Sequence, residues 1–543
     1  MILKKNLIKF NLQTGKEIKE ETYNLLDTDF ALKMSWKGDG QYFLCSFINA
    51  DGKRQFRVWD RDMELQYTSD ILQGIEMCIA WKPSGSFIAA PQRTNTSYNI
   101  ILFETNGLKY SEFTLPFAKD EILIKEMQWD KNSEVLMVYY EAFDPEAIFK
   151  SGIMLWTVSN CHWMLKQSLK FSSTVSATNF QVPLTLKICV ENHLLCYFFQ
   201  YELCSSNSLA YDDNQQDPSY IAVIEGNKVK LTPFSYVGIP PPMCCYEVVL
   251  KEDVQSVTFC QAKGHTSNMA VLTCNDELFL FSHKDFANIF NDVKVNPLLM
   301  GPKNLITLPG CYKKQILLVN ESKLRHLPGS IRKVRWVTPN IFVATVSKKN
   351  GGLSETSMVC FDFSDGSFIT TYHNVDFEIQ SISCLVLNND EKTPYVFLHG
   401  LYNTSLFDVY KKHIIKYELY SLNIENAIDI KLLKLNNFTE IDDVKILTLD
   451  AHKNLYVNDY IISKECTSFV IGTDFVMITT SSHKLLSIPI SILDKDPLTE
   501  QIILQYSSER SLERGSVIVS HPAHTTKLVL QLPRGNLEII HPR

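Results

Sequence analysis

Short runs of β-branched and aromatic residues alternate with polar positions along almost the whole chain, and each run ends in Gly, Asn, Asp or Ser. A period of two puts successive side chains on opposite faces of an extended strand, and those terminating residues tolerate the angles of a tight turn. Long amphipathic helical stretches are missing. One short helix is expected over 284–292, where Phe286, Ile289 and Phe290 fall at helical spacing.

The strand pattern repeats. Met34-Ser35-Trp36-Lys37-Gly38-Asp39-Gly40-Gln41-Tyr42-Phe43 is followed by Ile79-Ala80-Trp81-Lys82-Pro83-Ser84-Gly85-Ser86-Phe87-Ile88. A third copy is Met127-Gln128-Trp129-Asp130-Lys131-Asn132-Ser133-Glu134-Val135-Leu136. Each reads as a strand ending at Trp, a polar turn and a second apolar strand. The tryptophans lie 45 and 48 residues apart, and a later marker recurs as Val58-Trp59-Asp60, Leu102-Phe103-Glu104 and Leu155-Trp156-Thr157. A four-stranded antiparallel sheet of roughly 40–45 residues is one blade of a β-propeller. The expected fold is therefore all-β, with tandem WD-repeat-type propellers. Trp36, Trp81 and Trp129 are expected to pack between neighbouring blades, where a large flat ring buries much apolar area.

Beyond 186–201, which reads as strands, 204–218 is polar and reads as a loop. Ile221 to Val229 reads as a hairpin turning at Gly226-Asn227. Ile239-Pro240-Pro241-Pro242-Met243 cannot donate to a sheet and marks a connector. The expected domains are 1–238, the C-terminal part of a first propeller; 239–250, a proline-rich connector; and 251–543, a second propeller. Residues up to 240 hold roughly five blades, fewer than most closed WD-type rings, so the first propeller is expected to be incomplete at its N-terminus.

Composition narrows the function. With 53 Lys+Arg against 60 Asp+Glu the net charge is -7, which argues against a chain built to coat nucleic acid. The 14 cysteines include no C-x-x-C pair, and the adjacent Cys244 and Cys245 are poorly placed to bond to each other. They read as reduced core thiols of a cytosolic or nuclear protein. Met1-Ile2-Leu3-Lys4-Lys5 is not followed by an apolar signal core, and no run approaches a membrane span. The sequons at Asn95, Asn320, Asn403 and Asn437 read as chance matches.

No catalytic, cofactor-binding or metal-ligating residue is assigned. No two glycines lie four apart, so the G-x-S-x-G elbow is absent, and neither a Gly-rich phosphate loop nor H-E-x-x-H occurs. His521 and His524 could chelate a metal but have no third ligand nearby, and read as a surface turn. Asp212-Asp213 and Asp442-Asp443 read as solvated loops. Arg332, Lys333 and Arg335, just before Trp336, read as edge-strand charges, with a partner or RNA contact as the other reading. Lys348-Lys349-Asn350-Gly351-Gly352 reads as a hairpin turn.

Several stretches resemble the scaffold-subunit family of the Elongator complex. The longest is Thr526-Lys527-Leu528-Val529-Leu530-Gln531-Leu532-Pro533-Arg534-Gly535-Asn536-Leu537-Glu538-Ile539-Ile540-His541. The repeat pieces from Ser35 to Gln41 and from Ala80 to Ser86, the pieces from Leu155 to Val158 and from His162 to Leu169, and Pro240-Pro241-Pro242-Met243-Cys244 are similar to the same family. The resemblance implies two propellers, followed in the family by a helical-repeat solenoid and a basic C-terminal region. It also implies a non-catalytic scaffold that docks the other Elongator subunits for modification of the wobble uridine of tRNA, the chemistry belonging to a different, radical-SAM and acetyltransferase-like subunit. By this resemblance, early blades are expected to be missing before about residue 34 and the solenoid after Arg543. Contact with tRNA is then expected only through the assembled complex or segments absent here. No membrane association is expected, and a monomeric fragment of a dimeric family member is. The alternative is a propeller scaffold of another assembly, such as a vesicle coat.

Overall fold

The computed structural model describes residues 2–10, 17–26, 33–49, 51–118, 120–144, 146–147, 149–159, 161–181, 185–191, 193–199, 204, 220–233, 242–260, 269–281, 306–307, 330–338, 340–350, 353–362, 369–379, 381–385, 395–400, 403–416, 427–434, 444–450, 452–472, 474–493, 495, 498–513, 516–520, 528–531 and 537–540. The chain forms two compact units, Met1–Phe199 and Gln200–Arg543. That division lies ahead of the 239–250 stretch. Strands Tyr220–Glu225, Lys228–Pro233 and Tyr246–Val249 are hydrogen-bonded side by side, so the residues around the three prolines join two strands of one sheet. The Gly226-Asn227 hairpin forms as expected, with Glu225 opposite Lys228. The expected helix at 284–292 lies outside the described residues.

Strand order in the first unit follows sequence order, each strand antiparallel to the next. One four-stranded sheet comprises Lys33–Trp36, Tyr42–Ile48, Arg54–Asp60 and Leu65–Thr68 (blade 33–68). Ala80–Trp81, Ile88–Arg93, Tyr98–Phe103 and Lys109–Thr114 form blade 80–114. Ile122–Trp129, Val135–Ala142, Ser151–Ser159 and His162–Phe171 form blade 122–171. Three strands spanning 175–198 and the pair Ile2–Phe10 with Glu17–Leu26 complete the described sheets.

The middle strands are apolar without alternation because each sheet is covered on both faces. Leu136 and Val138 pack with Tyr98, Ile100 and Leu102 of the preceding blade. Val135, Met137 and Tyr139, on the opposite face, pack with Phe180, Leu186 and Ile188 of the following sheet. Trp81 and Trp129 are buried against the blade that precedes each, as expected. Trp36 is a correction. It holds the same register but is 53% exposed, its ring 5.0 Å from Phe43 of its own blade.

A turn device that the tryptophan spacing does not reveal recurs along the chain. At Asn49, Asp60, Asp130 and Asp450 the side-chain oxygen accepts a backbone N–H four residues on, at 2.7–2.9 Å. Three residues on, φ turns positive at Gly52 (74°), Met63 (64°), Ser133 (66°) and Lys453 (68°), and that residue's N–H donates to the carbonyl of the first. This side-chain turn closes each hairpin with a one-residue bulge.

The second unit holds seven sheets among its described residues, spanning 220–249 (joined by Ile306–Thr307), 254–281, 330–374, 381–416, 427–463, 466–511 and 517–540. Apolar clusters join each to the next: Val248 with Val257, Leu280 with Phe342, Cys360 with Val396, Phe397 with Ile446, Leu447 with Phe469, and Leu485 with Ile518. Between the third and fourth strands of sheet 466–511 sit two short helices, Ile490–Leu493 and Glu500–Tyr506. The second is capped by the Thr499 hydroxyl, which accepts from Ile502 N at 3.3 Å.

Candidate functional site

Propeller blades carry binding residues on the loops and outer strands that a rigid core holds still. The inner strands are tied together one blade at a time. Ser35 Oγ accepts from Trp81 N at 2.9 Å, and Gln128 Oε1 accepts from Phe180 N at 3.0 Å. In the second unit Ser383 Oγ donates to Ile430 O at 2.6 Å, Lys431 Nζ to Phe469 O at 2.8 Å, and Ile518 N to Ser468 Oγ at 2.9 Å.

The firmest tie in the first unit centres on Tyr98, whose side chain is fully buried. Its hydroxyl donates to the Glu76 carboxylate and accepts from Ile124 N, in the next blade, at 3.0 Å. Arg93 Nε donates to Glu76 at 2.8 Å, Arg93 Nη2 to Ile122 O at 3.1 Å, and the guanidinium stacks 4.4 Å from the Tyr98 ring centroid. Burial first, then Glu76, pushes the Tyr98 phenol well above its usual range, so it stays protonated. Three elements are thereby locked together: the crossover segment between the first two blades, the second blade and the third.

That crossover forms one wall of a cleft of about 240 Å³ at one end of blade 33–68. The other wall is the hairpin of Ile48, Lys53 and Arg54. Both walls fall at the same end because the second and fourth strands of an antiparallel blade run in the same direction. The crossover is pinned by Gln92 Nε2 to Gln73 O and Arg93 N to Gly74 O, each 2.8 Å. Gly74 sits at φ +76°, and a Cβ there would lie 1.9 Å from Arg93 O, so the close approach requires glycine. Arg54 is 8% exposed, its Nη1 donating to Ser46 Oγ at 3.0 Å; burial lowers its pKa, which the nearby Cys78 and Glu76 oppose.

The residues singled out in the sequence separate structurally. Arg335 Nε donates to Ile382 O in the next sheet at 3.2 Å and its Nη1 to Val334 O at 3.1 Å, so this cation ties two blades. Lys333 lies on the same strand, Ser330–Thr338. Asn350 pairs with Leu353 in the expected hairpin. His521, His524, Asp212, Asp213, Asp442 and Asp443 lie outside the described residues. Burial pushes the thiols of Cys45, Cys78 and Cys466 up to about 12. Among the described residues no group of three or more His, Cys, Asp and Glu could hold a metal ion. The cleft is not legible in the sequence. Its walls come from segments some twenty residues apart, and the Tyr98 tie that holds one of them joins residues 22 and 26 positions apart.

Comparison with known proteins adds the family. Residues 7–184 match the family described as ELP1 first N-terminal beta-propeller, and 223–519 match the one described as ELP1 N-terminal second beta-propeller. The chain is similar to Elongator complex protein 1 of Oryctolagus cuniculus, at 29% identity over 95% of this chain and 40% of that protein. It is 30% identical to that of Mus musculus over 94% of this chain and 40% of the relative. The Saccharomyces cerevisiae relative is 25% identical over 94% of this chain and 36% of its own length. The chain thus spans about 40% of the length of these curated relatives.

Proposed function

This chain belongs to the Elongator complex protein 1 family, and we propose from that premise that it serves as a non-catalytic scaffold subunit of Elongator. Its two propellers dock other Elongator subunits, and through them the protein supports 5-carbonylmethyl-type modification of the tRNA wobble uridine. The observation that carries this reading is the match to both propeller families, residues 7–184 and 223–519. A vesicle-coat scaffold would share the blade architecture but has no comparable support.

The physical logic is a rigid carrier. Blades buried on both faces and tied through Tyr98, Arg335 and Lys431 keep their loops in fixed positions. Loops held in this way bind a partner with little ordering cost. On this reading tRNA is met through the assembled complex, and the protein works in the cytoplasm, with the nucleus as a second compartment. The test is to deplete the protein and measure wobble nucleosides of total tRNA by liquid chromatography and mass spectrometry. Loss of the 5-carbonylmethyl-type nucleosides, restored on re-expression, is expected; an unchanged nucleoside profile after full depletion overturns the reading.

A further inference from the structure

We propose that the cleft between the 48–54 hairpin and the 71–76 crossover is a docking site for an acidic, apolar-flanked segment of a partner polypeptide, one carboxylate of which meets Arg54 and Lys53. This deepens the subunit-docking reading and rests on it.

Charge supports it first. The residues lining the cleft include two cations and no carboxylate, on a chain whose net charge is -7. Lys53 is exposed at the rim, whereas Arg54 is 8% exposed. A cation held in a partly desolvated recess acts on an approaching anion more strongly than one in open water. Shape and polarity come second. Ile48, Leu72 and Ile75 are half-buried along the cleft, and Ile71, beside Leu72, is 45% exposed. Most of the exposed lining is polar, and these side chains add a smaller apolar strip beside the cations that suits one aliphatic residue next to the acid.

Rigidity comes third. Gln55 Nε2 donates to Ser69 O and Phe56 N to Ser69 Oγ, each at 3.0 Å, which fixes the start of the crossover against the hairpin strand. Glu76 N donates to Pro91 O at 2.9 Å and fixes its end. Glu76, beside Ile75 on the crossover, is bound by Arg93 and Tyr98 and also acts on Arg54. The site is therefore preorganised, and an occupant gives up its own freedom with little further ordering of the protein.

The experiment places a photo-cross-linking residue at Gln73, whose side chain is exposed and whose anchoring contact is made by its backbone carbonyl. The full chain is irradiated in cells and purified with its associated subunits, and the attachment points are mapped by peptide mass spectrometry. Attachment within a few residues of an Asp or Glu that neighbours an apolar residue is expected, with the yield lowered at least about fivefold by Lys53→Glu and restored by Lys53→Arg. Thermal unfolding of Lys53→Glu should match the parent, because the side chain is exposed. Attachment to segments without carboxylates, a yield insensitive to Lys53→Glu, or no attachment while Elongator subunits co-purify overturns the cleft and leaves the scaffold reading standing. Displacement by inorganic pyrophosphate but not by an acidic peptide reassigns the site to phosphoryl groups and overturns the carboxylate proposal. If no Elongator subunit co-purifies with the parent chain, the scaffold reading falls, and this inference with it.

Discussion

Replacing Tyr98 by Phe removes one oxygen and leaves the ring, so no cavity of consequence forms and the effect isolates the blade-to-blade tie. The hydroxyl's bonds to Ile124 N and Glu76 are lost, together with its contact to Arg93. Ile124 N–H, buried, no longer has its acceptor at 3.0 Å. An orphaned buried donor costs about 1–3 kcal/mol. Glu76 loses the phenol but keeps Arg93 at 2.8 Å, so its share falls at the low end, about 0.5–1.5 kcal/mol. The sum is about 1.5–4.5 kcal/mol. Six of the seven tryptophans lie within 1–199, with Trp336 alone in the second unit, so tryptophan fluorescence follows the first unit. With a urea slope of about 2–3 kcal/mol/M, the midpoint should fall by roughly 1 M. Because the Tyr98 phenol is held above its usual range by burial and Glu76, the loss should be the same at neutral and mildly alkaline pH. In a double-mutant cycle with Glu76→Gln the two substitutions should couple by about 1 kcal/mol. A midpoint unchanged within error, or full additivity of the pair, would refute the claim that this hydroxyl joins the blades.

Three further outcomes are expected. Trp129→Ala should cost the first unit about 3–5 kcal/mol in urea unfolding, whereas Trp36→Ala, at a site 53% exposed, should cost under about 1 kcal/mol; equal costs would contradict the corrected placement of Trp36. His399 is 2% exposed, and burial, then Lys333, lowers its pKa to about 4. The unfolded chain takes up this proton near pH 6.5 and the folded one only near 4, so the contribution is fully present above 6.5 and is lost as pH falls to 4. That loss is about 3 kcal/mol, and His399→Gln should flatten the acid limb of the second unit's stability; an unchanged pH profile counts against it. Gly107 lies at φ +88°, and a Cβ there would sit 2.7 Å from Ser69 Cα. Gly107→Ala should therefore lower the first unit's stability by about 1–3 kcal/mol, measured by the same unfolding assay.

Blade architecture was legible because it depends on local pattern. The Trp-turn-strand repeat located strands Lys33–Trp36, Ala80–Trp81 and Ile122–Trp129, and the second marker located the third strand of each blade. Burial of Trp36 was not legible, since a repeat in sequence says nothing of whether the neighbouring face is covered. The carboxylate turns at Asp60, Asp130 and Asp450 escaped notice because the residue with positive φ changes from Met63 to Ser133 to Lys453, and no glycine marks it. The helix Glu500–Tyr506 was missed because seven residues carry too little periodicity, although Thr499 before Glu500 is a capping signal. The role of Arg335 became clear only once Ile382, distant in sequence, was placed beside it.

The proposal that this propeller chain carries Elongator subunits can be tested directly. The direct measurement is to tag the endogenous protein, purify it under mild salt and quantify what accompanies it by mass spectrometry. The other Elongator subunits are expected in fixed stoichiometric ratios that survive a second affinity step. Recovery of the protein alone, or with a coat-type assembly in place of those subunits, would contradict it.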